Sequence, residues 1–437
     1  MKITHILNSF LIVDGGRERI LCDPWLGYAN YGGWHSFPFV DEAEVQEQCA
    51  LVDYIYISHL HDDHLCANFL SRLDKQTPVI IRKFRDKSLK RVIAAIGFVN
   101  FIELSADESF ETEDFVIEII PQIESNSGSL VDQVSYDIDT SIFFFEKSTG
   151  QSFFNKVDNP ISDATLVRIC ENLKTKYDCS INVIAMTCGA ASEWPQCFLS
   201  LDRETKKSEF LRAEIEKFRI VVEEISPDFV INAGGMYVIP GKFRDLNQFL
   251  AIPSMSDLVA AFSEAGEARF FDLSGGRVLC VDSGTIKDYL KNTQRDISMP
   301  IPESDEFDGF RCRRFDHAER RRYFHSASKR FMELFNERSW EPDQAVDIIV
   351  YQELCIDERG DIDLSSSLKT DEFHLFPNLK THSVATIHLD EYLFDAVLRG
   401  EILLNQLMSG SLTIQERNPD VFYPGTMFAL NLFRAPK

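Results

Sequence analysis

Three of the chain's ten histidines fall within six residues, in the run Ser58-His59-Leu60-His61-Asp62-Asp63-His64. Imidazoles packed this densely repel one another when protonated. As neutral rings beside carboxylates they are donors for a divalent cation. In an extended loop alternate side chains point the same way, so His59 and His61 can share one ion. Asp63 and His64 then face a second position a few ångströms further on. All four are candidate metal ligands. Asp63 is also the candidate catalytic group, orienting a water activated by the metal.

Such donors need a rigid element to carry them, and the run follows directly on residues 52–58, whose β-branched and aromatic side chains predict a strand. A loop at the C-terminal end of a strand is where α/β sheets build their sites. Upstream, residues 2–13 and 19–23 read as strands flanking an Asp14-Gly15-Gly16 turn. Downstream come an expected helix at 67–75, a strand at 79–82 and a helix at 88–97 that Gly97 stops. Strands are expected at 115–120, 141–146, 152–155, 181–187 and 229–232, and helices at 161–177 and 206–224. This interleaving predicts a layered α/β fold. Residues 297–308, with Pro300, Pro302 and a run of acids, read as a linker to a basic helical stretch at 311–338 and an α+β tail.

The pattern His59-x-His61-x-Asp63-His64 resembles the signature of the metallo-β-lactamase superfamily, and Asp23-Pro24-Trp25 at a strand end is similar to a feature of its lactonase-like and phosphodiesterase-like branches. Residues 139–142, 154–158, 186–195, 227–235 and 417–420 are similar to the metallo-β-lactamase-like part of the CMP-N-acetylneuraminic acid hydroxylases. The Cys-x-His and Cys-x-x-His ligands of that family's Rieske domain are absent from this sequence. The resemblance implies an α/β fold, a metallo-β-lactamase-like αβ/βα sandwich holding metal and catalysis over residues 1–300, with a smaller C-terminal α+β domain over 301–437. It also makes Asp158 the ligand bridging two ions. The superfamily adds two later histidines, yet this chain has none between Leu65 and Asp316. Asp137 and Asp139, near Ser135, are the candidates to replace them. Such a carboxylate-rich set suits iron or manganese better than zinc, so the expected cofactor is one or two divalent ions of iron, zinc or manganese.

The chain has 437 residues, ample for two domains, and a formal charge of −24. That charge argues against nucleic acid as a partner. No apolar run is long enough for a membrane span. Ten scattered cysteines read as reduced core residues of a cytoplasmic protein, and the apolar start reads as a strand rather than a signal peptide. His35, in a loop with Tyr31 and Trp34 as an apolar wall, and Arg313 and Arg314, in a basic cluster, are candidate contacts to a small anionic substrate. The first expected function is metal-dependent hydrolysis of an ester, lactone, thioester or phosphoester. The alternative is a non-haem iron or di-iron oxygenase, which needs a separate redox partner, and the third reading is a metal-poor scaffold. A homo-oligomer is compatible with all three.

Overall fold

The computed structural model describes residues 1–435 except 107, 123–138, 266–268, 377–378, 380–382 and 422. Asp137 lies outside the described residues. Two sheets stack face to face. The first has eight strands in the order Thr285–Asp288, Arg277–Cys280, Lys2–Leu7, Phe10–Asp14, Arg19–Cys22, Tyr54–Tyr56, Val79–Arg82 and Phe101–Leu104. It is antiparallel as far as Arg19–Cys22 and parallel from there on. The second has seven, in the order Ser109–Glu111, Phe115–Pro121, Thr140–Glu146, Ser152–Asn155, Val183–Met186, Phe229–Asn232 and Arg269–Phe270.

The facing sides meet through Leu11, Ile20, Tyr56 and Ile80 on one sheet and Ile117, Phe144, Phe153 and Ile231 on the other. Behind the second sheet, helices Asp163–Tyr177, Arg203–Ile225 and Met255–Ala265 bury Leu166, Phe218, Val222 and Leu258 against Phe143, Phe154, Ile184 and Val230. Both faces of the central strands are therefore covered, which explains their unbroken apolar runs. Behind the first sheet lie helices Glu42–Cys49 and Ser88–Ile96, whose Val45 and Ile93 join the same buried cluster as Ile57 and Leu389. The layers run helix, sheet, sheet, helix: the chain forms the αβ/βα sandwich.

After this comes a four-stranded sheet ordered Lys369–Leu375, Ala345–Tyr351, Val384–Asp390 and Ile414–Asn418. Helices His317–Glu337 and Glu391–Arg399 pack with it. Lys242 of the sandwich pairs with buried Asp390 at 2.7 Å, and Gln415 exchanges backbone hydrogen bonds with Cys197 and Leu199. A short helix, Leu404–Ser409, lies against the turn at residues 30–32. The approach is close because Gly33 has no side chain: a Cβ there would stand 2.0 Å from the Gly410 carbonyl oxygen.

Three local expectations change. Residues 2–13 form two antiparallel strands, not one, because polar Asn8 and Ser9 turn the chain and Asn8 accepts φ +39°. The helix expected at 67–75 closes after Ala67–Leu70. Trp34–Ser36 is a strand between Tyr28–Ala29 and Tyr237–Val238, so the expected loop there is a small sheet. No helix among the described residues is long and apolar enough to cross a membrane. Cys22, Cys49, Cys66, Cys170, Cys188 and Cys197 are buried as free thiols.

Candidate metal centre

Both sheets deliver donors to one edge of the sandwich. Tyr54–Tyr56 is flanked by parallel neighbours, and the chain leaves it through Ser58 into the histidine run. Across the sandwich Asp139 precedes strand Thr140–Glu146, and Asp158 follows its neighbour Ser152–Asn155. Buried Val157 takes φ +53°, a conformation a β-branched residue rarely adopts and which costs on the order of 1–3 kcal/mol. That kink turns the next residue, Asp158, toward His64.

Two sets of three donors result, His59, His61 and Asp158, then Asp63, His64 and Asp158, with all ligand atoms of a set within 4.8 Å of one another. Asp158 belongs to both. His59 Nε2 and His61 Nδ1 lie 2.8 Å apart, close to the roughly 3.3 Å between two imidazole donors on one tetrahedral ion. His64 Nε2 stands 3.1 Å from Asp158 Oδ2 and 3.4 Å from Asp63 Oδ2.

Support behind the donors assigns the tautomers. Ser58 donates its hydroxyl proton to Asp23 Oδ2 at 2.7 Å, so its oxygen accepts from His59 Nδ1 at 2.8 Å. The lone pair of His59 is thereby left on Nε2, facing His61. His64 Nδ1 donates to the same Asp23 Oδ2 at 3.1 Å, and the Ser58 amide donates to Oδ1 at 2.7 Å. Asp23, fully buried with φ +42°, thus orients two rings at once. Asn8 holds Asp63, donating from Nδ2 to Oδ2 and to the carbonyl oxygen at 3.3 Å each, while Asn8 Oδ1 accepts from the Met236 amide.

The electrostatics are those of a site waiting for positive charge. Burial pushes His59 well below the ordinary imidazole range, and His64 and His61 add to this. Burial also opposes charge on His64, but Asp63 and Asp158 outweigh it and raise that ring well above its ordinary value. Asp158 is held low by His64 despite its own burial. Burial pushes Asp139 up to about 6, with Asp158 adding to it, and Asp62 likewise up to about 6 with Asp63 adding. Asp139 Oδ1 is a buried oxygen with no hydrogen-bond partner, 3.8 Å from His59 Nε2. An orphaned carboxylate oxygen beside a lone-pair nitrogen fits a cation between them.

A cavity of about 510 Å³ opens on Asp63, Asp139 and Asp158. Its walls are Trp34, stacked on Tyr237 at 4.0 Å, and Leu403, Asn405 and Gln406 from the C-terminal part. Gln406 donates to Asp62 at 2.9 Å, which ties that wall to the histidine run. His35 alternates with Trp34 along its strand and packs on Tyr28 instead, its Nδ1 at the Ser36 carbonyl oxygen. Arg313 pairs with Glu401 and Arg314 with Glu391, and neither lines this cavity. The structure does not bring these three to the donors. Nothing in the sequence marks Asn8, Ser58 or the helix Leu404–Ser409 as part of the site, and Asp23 is visible there only as a turn or strand end. The adjacency of strands Arg19–Cys22 and Tyr54–Tyr56 is the signal that brings Asp23 to His64.

No protein-family model matches the chain. A protein of Mycolicibacterium smegmatis named as a Rieske 2Fe-2S iron–sulfur protein is 33% identical over 105 residues, 24% of this chain and 20% of that protein. The cytidine monophosphate-N-acetylneuraminic acid hydroxylase of Danio rerio is 34% identical over 84 residues, 18% of this chain and 14% of the hydroxylase. The chain thus spans a fifth or less of the length of these curated relatives. Among solved structures, isothiocyanate hydrolase from Delia radicum gut bacteria superposes with a TM-score of 0.45 at 14% identity, covering 64% of this chain and 99% of that one.

Proposed function

We propose that the chain is a metal-dependent hydrolase of an ester, lactone, thioester or phosphoester. The observation that carries this reading is Asp158, one carboxylate shared by two sets of three donors at the mouth of a cavity. His59, His61 and Asp158, with Asp139 alongside, would hold one divalent ion, and Asp63, His64 and Asp158 a second. Such an ion supplies Lewis acidity and a water acidified from about 16 toward 7. The protein's own part is positional. Ser58 and Asp23 keep the Nε2 lone pair of His59 turned to the ion, and Asn8 fixes Asp63 so that its carboxylate can orient the attacking water. Trp34 and Leu403 exclude bulk water from the reacting bond.

A second reading, a non-haem iron oxygenase, draws on the donor set: three imidazoles and three carboxylates, counting Asp139, favour iron or manganese over zinc. It requires electrons from a separate redox partner. Metal analysis of anaerobically purified protein beside a His61→Ala control separates the two, followed by hydrolysis of an ester and phosphoester panel without oxygen. Zinc or manganese with oxygen-independent turnover supports the hydrolase. Iron with oxygen-dependent turnover replaces it with the oxygenase. No stoichiometric metal in the wild-type protein removes both and leaves a scaffold.

A further inference from the structure

Asp158 and Ala191 line not only the cavity at the donors but also a second, smaller hollow of about 260 Å³. Two ammonium side chains face this hollow, Lys156 from the strand end beside Asp158 and Lys217 from helix Arg203–Ile225. We infer that the hollow is a subsite for a doubly charged phosphoryl group, held between Lys156 and Lys217 next to the metal donors.

The sheet fixes the backbone of Lys156. Its amide donates to the Ala185 carbonyl oxygen at 2.9 Å, and its own carbonyl oxygen accepts from Ser141 Oγ at 2.8 Å. The half-buried side chain ends on a neutral acceptor, Nζ donating to the Asn159 carbonyl oxygen at 2.7 Å. An ammonium carries three donors, and the described residues pair no carboxylate with this one. A cation drawn out of water without a counter-charge is costly, and an anion in the hollow removes that cost. Lys217 brings a second positive charge to the same space. Its neighbour Glu214 stands 3.9 Å away, beyond hydrogen-bond reach. The other acids of the hollow are engaged elsewhere. Asp158 meets His64 at 3.1 Å, and Asp163 lies in the first turn of helix Asp163–Tyr177, where the helix dipole favours negative charge. Two lysines act as point charges without the planar fork of arginine, which suits a tetrahedral dianion better than a flat carboxylate. Met186, Phe218 and Val221 add apolar surface for the carbon that bears the phosphate. The contrast with the basic stretch near residue 315 is direct, for there Arg311, Arg313, Arg314, Arg320 and Arg321 all face carboxylates of the same chain.

That this phosphoryl group belongs to the molecule whose bond is broken at His59–His64 rests on the hydrolase reading, whereas the subsite itself does not. The test is calorimetric titration of the full chain with inorganic phosphate, phenyl phosphate and acetate, at about pH 8 and matched ionic strength. Metal is first removed by chelator and dialysis, so that phosphate bound to an ion is not counted. Phosphate is expected to bind saturably, at least about tenfold tighter than acetate. Lys217→Gln, at an exposed helix position, should weaken phosphate about tenfold, and Lys156→Gln at least as much. His61→Ala should leave phosphate affinity unchanged in the metal-free protein. Phenyl phosphate tighter than phosphate identifies an organic phosphate ester as the occupant, and equal affinities identify free phosphate; both uphold the subsite. No saturable binding, acetate bound as tightly, or loss of binding in His61→Ala overturns it. So does affinity unmoved by Lys217→Gln, a result that stands even if the Lys156 variant does not fold. Lysine-dependent phosphate binding in a protein that hydrolyses nothing when metal-loaded upholds the subsite and rejects the hydrolase reading. Turnover of neutral esters without lysine-dependent phosphate binding does the reverse.

Discussion

Around His64 the fold supplies a partner for each ring nitrogen, Asp23 behind and Asp158 in front, and Asn8 pins the neighbouring Asp63. His64 and Asp63 are buried. Around His61 it supplies much less: the ring is exposed, on the cavity side, with its Nδ1 against His59. The deep half of the cluster is preorganised by groups that cannot move without disturbing the sheets. The open half rests on a loop that substrate or solvent reaches. A metal centre built this way would keep affinity in one half and access in the other, and the supporting groups, as much as the donors, would decide which is which.

The comparison is broken most severely at the residue the halves share. Asp158→Ala should weaken metal binding at both positions by more than ~100-fold, beyond the range of supporting groups, as read by metal content and calorimetric titration. Retention of full stoichiometry would show that Asp158 bridges nothing. His61→Ala should take the protein from about two ions to about one, emptying the open half and sparing the deep one. Loss of both ions there would mean that the halves are not separable. In Asp23→Asn the amide presents a donor or a weaker acceptor to His64 Nδ1 and Ser58. Metal affinity should drop ~10–100-fold, with the deep half losing more, and an unchanged titration would deny Asp23 its orienting role.

The smallest effect lies behind the deep half and concerns stability. His5 Nε2 meets the Asn8 carbonyl oxygen at 2.6 Å, its other nitrogen is buried without a partner, and burial lowers the ring to about 4. The unfolded chain takes up a proton near pH 6.5, but the folded chain resists until about pH 4. Stability attributable to His5 is therefore full above pH 6.5 and is lost as pH falls toward 4, by about 3 kcal/mol in all. Melting curves of wild type and His5→Gln between pH 7 and pH 4.5 should converge as the pH drops. Parallel curves would show that His5 does not titrate as its burial requires.

How much of this was legible depends on sequence distance. His59, His61, Asp63 and His64 are close neighbours in one loop, so their shared chemistry can be read from spacing. Asp158 was found by likeness to a family pattern, and the structure places it between both donor sets. The sequence offers Asp137 and Asp139 alike as substitutes; the orphaned oxygen of Asp139 near His59 comes from the second sheet, not from spacing. The arginines near residue 315 looked like an anion grip because their partners are remote in sequence: Glu391, Asp395 and Glu401 reach them only through the fold. His35 and Trp34 were read as one loop, and strand alternation sent them to opposite faces.

By itself the sequence determined that this chain is layered from strands and helices and that the loop after residues 52–58 carries donors that could hold a metal, because periodicity and donor spacing are local properties. Only the tertiary structure decided that Asp23 orients the rings, that Asn8 holds Asp63, and that the helix Leu404–Ser409 walls the cavity. Those relations join residues up to several hundred positions apart. They exist only once burial of the sheet faces has brought the strand ends to a common edge.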